Sequence, residues 1–241
     1  MIKGDLRKKQ ILETAESLFA ERGYESTGVQ DILNILHLSK GSFYHHFESK
    51  EQVLETICEN RARLAAEKLA GETEPDALRR MDQLLSGMIP FQGEGLTFLK
   101  MILPVFVLPE GKRIRGGYQE ALKRNWLPMV SKALEEMIRQ KQGFSLYPVK
   151  TAEIALDLVN DLWDTMGDEI IRSEKNRREM AQPGYLLTLV EPYRPAVENL
   201  LSAPYGSLEL MNLEKLQQVV MEIHNWWMLD PGTPAEDSGK K

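Results

Sequence analysis

The sequence is poor in the features that tie a chain to other compartments or chemistries. One cysteine, Cys58, stands in 241 residues, so no intramolecular disulfide can form and a reducing cytoplasm is the simplest setting. Cys58 falls in a helical pattern, where it reads as a small buried residue or as a regulatory thiol. No apolar run is long enough to cross a bilayer: the most hydrophobic stretch, residues 96–109, is broken by Lys100 and Pro104. The opening MIKGDLRKKQILETAESLF has periodic rather than continuous apolar positions, unlike a secretion signal. There is no internal repeat and no low-complexity tract. GxSxG, a phosphate-binding glycine loop, HExxH and Cys/His zinc spacing are all missing, which weighs against the common enzyme and metal classes. A positive charge excess is missing too, the net charge being -6.

That last deficit is unevenly spread. Residues 1–50 hold seven Lys/Arg and seven Asp/Glu, so the first fifth of the chain is neutral and the remainder carries the acidic excess. Attraction to phosphate acts over a Debye length of about 8–10 Å, so local charge counts for more than the total.

What the sequence does hold is helical periodicity throughout. Ile11, Leu12, Ala15, Leu18 and Phe19 predict an amphipathic helix over 6–22, ended by Gly23 in the left-handed conformation. Ser26 or Thr27 can cap a second helix carrying Val29, Ile32 and Leu33. After a break at Leu36-His37-Leu38, Ser39 can cap a short third helix over 39–45. Ser49 opens a long fourth helix, about 49–70, with Glu51 and Gln52 at its positive end. The GETEP stretch, residues 71–75, reads as a junction. Beyond it the pattern predicts helices near 78–88, 95–108, 112–142 with a bend at Pro128, 149–181, 185–201 and 206–229. Pro183-Gly184 is punctuation, and the tail 230–241 reads as disordered. The class is all-α: a three-helix module at 1–50, a connecting fourth helix, and a larger helical domain at 75–229.

Within the module, SKGSFYHHF carries the chemistry. Ser39, Lys40, Gly41 and Ser42 place small or basic groups at a helix N-terminus, where backbone amides favour phosphate. Phe43 and Phe47, four apart, predict an inward face, which leaves Tyr44, His45 and His46 outward or along the backbone. Lys40 can reach a guanine edge and Ser42 either base type. The pattern suits a helix-turn-helix with its second helix in the major groove of double-stranded DNA. A metal site at His45-His46 is disfavoured, because adjacent residues point to different helix faces and no further ligand sits at metal spacing.

These residues, TGVQDIL…LSKGSFYHHFESKEQVL preceded by ILETAESLFAERGYEST, resemble the DNA-binding signature of the TetR (tetracycline-repressor) family of bacterial transcriptional regulators. The resemblance covers about residues 7–57. It implies phosphate contacts from Thr27, Tyr44 and Lys50, groove positions for Lys40, Ser42 and His45, and His46 near the backbone. One departure is the turn, which holds Leu36 and His37 where family members often have a small residue and a glycine. The resemblance further implies a ligand-binding and dimerisation domain. The chain would then be a ligand-responsive regulator, a repressor more readily than an activator. It would bind a palindromic operator as a homodimer and be released by a small-molecule effector, without enzymatic activity, cofactor or membrane partner. The setting would be the bacterial cytoplasm, on the nucleoid when DNA is bound. Segments 149–175 and 206–228, the second ending near Trp226-Trp227, are the dimerisation candidates.

In the larger domain, bulky or soft side chains (Met88, Phe91, Phe98, Met101, Phe106, Tyr118, Trp126, Trp163, Tyr185) suit a core or an adaptable apolar pocket. Phe98, Met101, Tyr118, Trp126 and Trp163 are the candidate ligand contacts. Asp157, Asp161, Asp164 and Asp168, spaced 4, 3 and 4, form one helix stripe. It reads first as a solvated face and second as a site for a cationic ligand. Two other functions stay open: a chromosomal or cell-division factor without small-molecule control, and a helical enzyme supported only by that stripe.

Overall fold

The computed structural model describes residues 3–88, 94–172, 188–211 and 221. All of their regular structure is helical: α1 Lys3–Arg22, α2 Val29–Leu36, α3 Lys40–Tyr44, α4 Lys50–Ala70, α5 Ala77–Ser86, α6 Glu94–Ile102, α7 Gly111–Arg139, α8 Pro148–Arg172 and α9 Tyr193–Leu201. Phe91, Pro183-Gly184, Tyr185, Trp226-Trp227 and the tail 230–241 lie outside the described residues.

Helices α1, α2 and α4 pack around Ile11, Phe19, Ile32, Phe43, Phe47 and Leu54, all buried. Helix α4 then leaves this cluster and lies along α7, burying Ile57, Cys58, Ala62 and Ala66 on the way. The Cys58 thiol is therefore inert. It is buried, and burial first, then the nearby carboxylates of Glu16 and Glu55, push its pKa above the ordinary range. Arg61 of α4 pairs with Glu16 of α1 at 2.6 Å, fastening the long helix to the first one.

The helix expected over 95–108 ends at Ile102 and continues as a 3₁₀ turn, Leu103–Val107. Pro104 is the cause, since it has no amide to offer the carbonyl four residues back. That turn folds onto the start of α7 so closely that a Cβ on Gly111 would lie 2.4 Å from the Val105 carbonyl oxygen. Helix α7, about 43 Å long at 1.5 Å per residue, runs through Pro128 as one helix.

The acidic stripe of α8 lies on a partly solvated face, with Asp157 and Asp161 exposed, and it is met by side chains of neighbouring helices. Arg115 of α7 pairs with Asp168 at 2.6 Å and Asp164 at 3.5 Å. Lys123 pairs with Asp157 at 2.8 Å and Glu153 at 3.0 Å, and the Tyr193 hydroxyl donates to Asp161 at 2.6 Å. Spacing along α8 showed one face but not that α7 carries the matching cations.

A second correction concerns the start of the segment 206–229, whose residues 212–220 and 222–229 lie outside the described residues. Residues 206–211 are not helical but form a strap, with Gly206 and Leu210 at positive φ. Glu198, only 1% exposed, accepts the Gly206 amide at 3.0 Å and the Leu208 amide at 2.9 Å. Asp82 Oδ1 accepts the amides of Glu209 and Leu210 at 2.9 and 2.8 Å. Burial pushes the Asp82 carboxyl above the usual carboxylate range, although those two amides pull it back. A raised native pKa favours the protonated form, so the ionised native state is penalised as pH rises through that pKa. Because one oxygen takes both amides, Asp82→Asn keeps the acceptor and removes the charge. It is expected to raise the melting temperature at neutral pH, with the advantage disappearing in acid.

Candidate nucleic-acid interface

Each bend of the helix-turn-helix has a local cause. Gly23 ends α1 at φ +84°, a conformation glycine takes at no steric cost. Neither Ser26 nor Thr27 caps α2. The cap is Gly28, whose amide donates to the Asp31 carboxylate at 2.7 Å. His37 closes α2 in the left-handed region, φ 51° and ψ 46°, so the turn forms without the glycine common in the family. Ser39 caps α3, its Oγ accepting the Ser42 amide at 3.2 Å.

Helix α3 is thereby set with two unlike faces. Phe43 and Phe47 are buried, their rings 6.0 Å apart, and the Lys8 ammonium lies 5.5 Å from the Phe47 ring centroid. Outward stand Ser39, Lys40, Gly41, Tyr44 and His45, all exposed, with Ser42 and His46 half-buried. The Tyr44 ring rests edge-on against Phe43 at 5.4 Å while the residue remains 55% exposed. His45 and His46 contact each other edge-on at 5.1 Å. Lys40 has no carboxylate partner among the described residues, whereas Asp31 and Glu16 are occupied by Gly28 and Arg61. The surface offers hydroxyl, ammonium and imidazole groups on one short helix, the donor set that phosphates and major-groove base edges accept.

Thr27, a phosphate contact by resemblance, is packed into the module. It is 0% exposed and its hydroxyl donates to the Gly23 carbonyl at 2.9 Å. It staples the loop between α1 and α2 instead of facing outward. Lys50 is half-buried, and its ammonium donates to the Tyr24 carbonyl at 2.8 Å. That contact joins residues far apart in sequence, so no local spacing could have revealed it.

Of the candidate ligand contacts, Phe98, Met101, Tyr118, Trp126 and Trp163 are all buried. Phe98 and Tyr118 meet at 5.3 Å. Trp126 is committed elsewhere, its indole N–H donating to the Leu84 carbonyl at 2.8 Å.

Comparison with known proteins agrees with this geometry. A family profile described as bacterial regulatory proteins, tetR family, matches residues 11–57. The HTH-type transcriptional regulator YerO of Bacillus subtilis (strain 168) is 31% identical over 113 residues, 45% of this chain and 39% of YerO, so the match spans well under half of that relative. The HTH-type transcriptional repressor DhaR of Mycobacterium sp. (strain GP1) is 25% identical over 207 residues, 80% of this chain and 95% of DhaR. A solved transcriptional regulator from Saccharomonospora viridis, in complex with choline, shares the fold with a TM-score of 0.51 at 22% identity, over 81% of this chain and 95% of that one. The profile alone speaks for the first module, but DhaR follows the chain far beyond it, and the relatives are named as regulators of transcription rather than enzymes. Residues 11–57 are thus the helix-turn-helix module of the tetR family of bacterial regulatory proteins, and the helical fold beyond them is the one seen in solved regulators of transcription.

Proposed function

We propose that the chain is a repressor that binds a palindromic operator as a homodimer and is released by a small molecule held in its larger domain, residues 75–229. Family members bind DNA as dimers and respond to small ligands. DhaR is named a repressor, and the Saccharomonospora viridis regulator was solved with choline. In this reading α3 of each protomer enters the major groove, the two half-sites lying about 34–36 Å apart. Tyr44 and Lys50 meet phosphates, Lys40, Ser42 and His45 face the groove, and His46 lies near the backbone. Phe98, Met101, Tyr118 and Trp163 are the residues put forward for the effector pocket. The cytoplasm is the compartment where such a partner is met.

One observation carries the reading. Gly41 has no steric role in the protein itself, since a Cβ there would meet only Ser39 Oγ, at 4.0 Å. Glycine in a helix is less stable than alanine by about 0.5–1 kcal/mol, so its presence fits close approach by something outside the chain. Gly41→Ala is expected to melt no lower than the parent and to lose DNA affinity. Equal affinity in the two proteins would remove this support.

Selection of bound fragments from the source genome, with a Tyr44→Ala, Lys50→Ala control, tests the function. One or a few palindromic sites beside promoters, missing in the control, are expected. Many scattered sites that no small molecule clears would instead favour a chromosomal factor.

A further inference from the structure

Lys50 sits at the first position of α4, the positive end of the helix dipole, where a cation is disfavoured. Its long side chain is nevertheless held in one place. Besides donating to the Tyr24 carbonyl at 2.8 Å, the ammonium stands 4.1 Å from the centroid of the Tyr24 ring, within the range of a cation–π contact. Tyr24 is itself immobilised. It is buried, packs edge-on against Phe19 at 5.1 Å, and its carbonyl also takes the Thr27 amide at 3.3 Å. The charges around its phenol come from Glu51 of α4 and from Glu110 and Arg113 at the start of α7, with Arg113 paired to Glu55 of α4 at 3.0 Å.

An ammonium has three N–H donors. The Tyr24 carbonyl takes one of them, the ring face screens the charge, and donor capacity remains for an anion at the surface of the module. A free lysine would lose more rotamer entropy on meeting a phosphate than almost any other side chain. Here that ordering is part of the fold.

We propose that Tyr24 is a positioning residue for DNA binding: its carbonyl and ring face hold the Lys50 ammonium ready for a backbone phosphate. This rests on the reading of Lys50 as a phosphate contact.

The test uses the full chain and a mixed-sequence duplex of about 30 bp, because phosphate contacts do not depend on base sequence. Affinity is measured across about 50 to 200 mM salt for the parent, Lys50→Met, Tyr24→Phe, Tyr24→Leu and the Tyr24→Leu, Lys50→Met double variant. Lys50→Met is expected to weaken binding and lower the salt slope by about one per protomer. Tyr24→Phe, which keeps the carbonyl and a ring, should match the parent. Tyr24→Leu should lose about three- to ten-fold, and nothing further in the Lys50→Met background. An equal loss from Tyr24→Leu with and without Lys50 overturns the proposal, as does a Tyr24→Phe loss as large as that of Tyr24→Leu. Should Tyr24→Leu not fold, the free parent protein decides by NMR. The Lys50 ε-methylene protons, assigned with Lys50→Met, are expected upfield of the other lysines under the ring current, and an ordinary shift overturns the proposal. If Lys50→Met binds as the parent does, the phosphate role of Lys50 fails while DNA binding stands. A parent that binds no duplex at any salt sinks the DNA-binding reading itself.

Discussion

Trp126→Ala is expected to remove about 3–5 kcal/mol of stability, the range for deleting a large buried aromatic side chain. Trp126 is the largest fully buried side chain among the described residues, in the middle of α7 and against α5. It also performs a polar task. Helix α5 ends at Ser86, and the amide of Met88 turns to the Leu85 carbonyl. The Leu84 carbonyl, one of the last of that helix, takes the Trp126 indole N–H instead. Trp126→Phe separates the two contributions: it keeps most of the buried ring but leaves that carbonyl unpaired, for about 1–3 kcal/mol. Set against a stability of about 5–15 kcal/mol, the alanine variant should be substantially unfolded or melt far below the parent, with phenylalanine in between. Urea unfolding followed by circular dichroism measures both, and an alanine variant within about 1 kcal/mol of the parent would contradict the packing described.

Tyr44→Phe is expected to weaken operator binding by about ten- to a hundred-fold per protomer while the melting temperature stays put. The Tyr44 ring lies on Phe43, and that contact survives the change. The hydroxyl is the one group lost, and no hydrogen bond within the described residues depends on it. Meeting a phosphate it would make a hydrogen bond to a charged acceptor, a class worth about 1.5–3 kcal/mol. In a symmetric dimer the loss occurs twice. Titration of the selected operator at fixed salt reads the effect, because affinities at unequal salt are not comparable. Unchanged affinity would mean that α3 meets DNA at another angle.

Much of the module was legible from order and spacing. Phe43 and Phe47, four apart, share the buried face of α3, and Ser39, Ser49 and Gly23 stand where helices begin or end. Such features depend on neighbours within a turn, which sequence displays directly. The α2 cap was misplaced by one or two residues, because Gly28 caps through its backbone with the help of Asp31 three positions on. The burial of Thr27 was not legible, because resemblance transfers a residue's type and not its burial.

In the larger domain, periodicity located α5, α7 and α8 but could not say what faced them. The aspartate stripe is a regular feature of α8, yet its meaning depends on Arg115 and Lys123 of another helix. The strap at 206–211 contradicts a helical reading because two distant carboxylates, Asp82 and Glu198, take its amides out of helical register.

By itself, then, the sequence determined the all-α class, the helix-turn-helix and its outward donors, since helix capping and amphipathic spacing act between residues a few positions apart. Tertiary structure alone decided that Thr27 turns inward, that Lys50 rests on Tyr24, that Trp126 closes the end of α5 and that the acidic stripe meets Arg115 and Lys123. Those outcomes depend on which side chains meet across tens of residues, where packing density and pairing of buried polar groups choose the partner and local pattern carries no information about it.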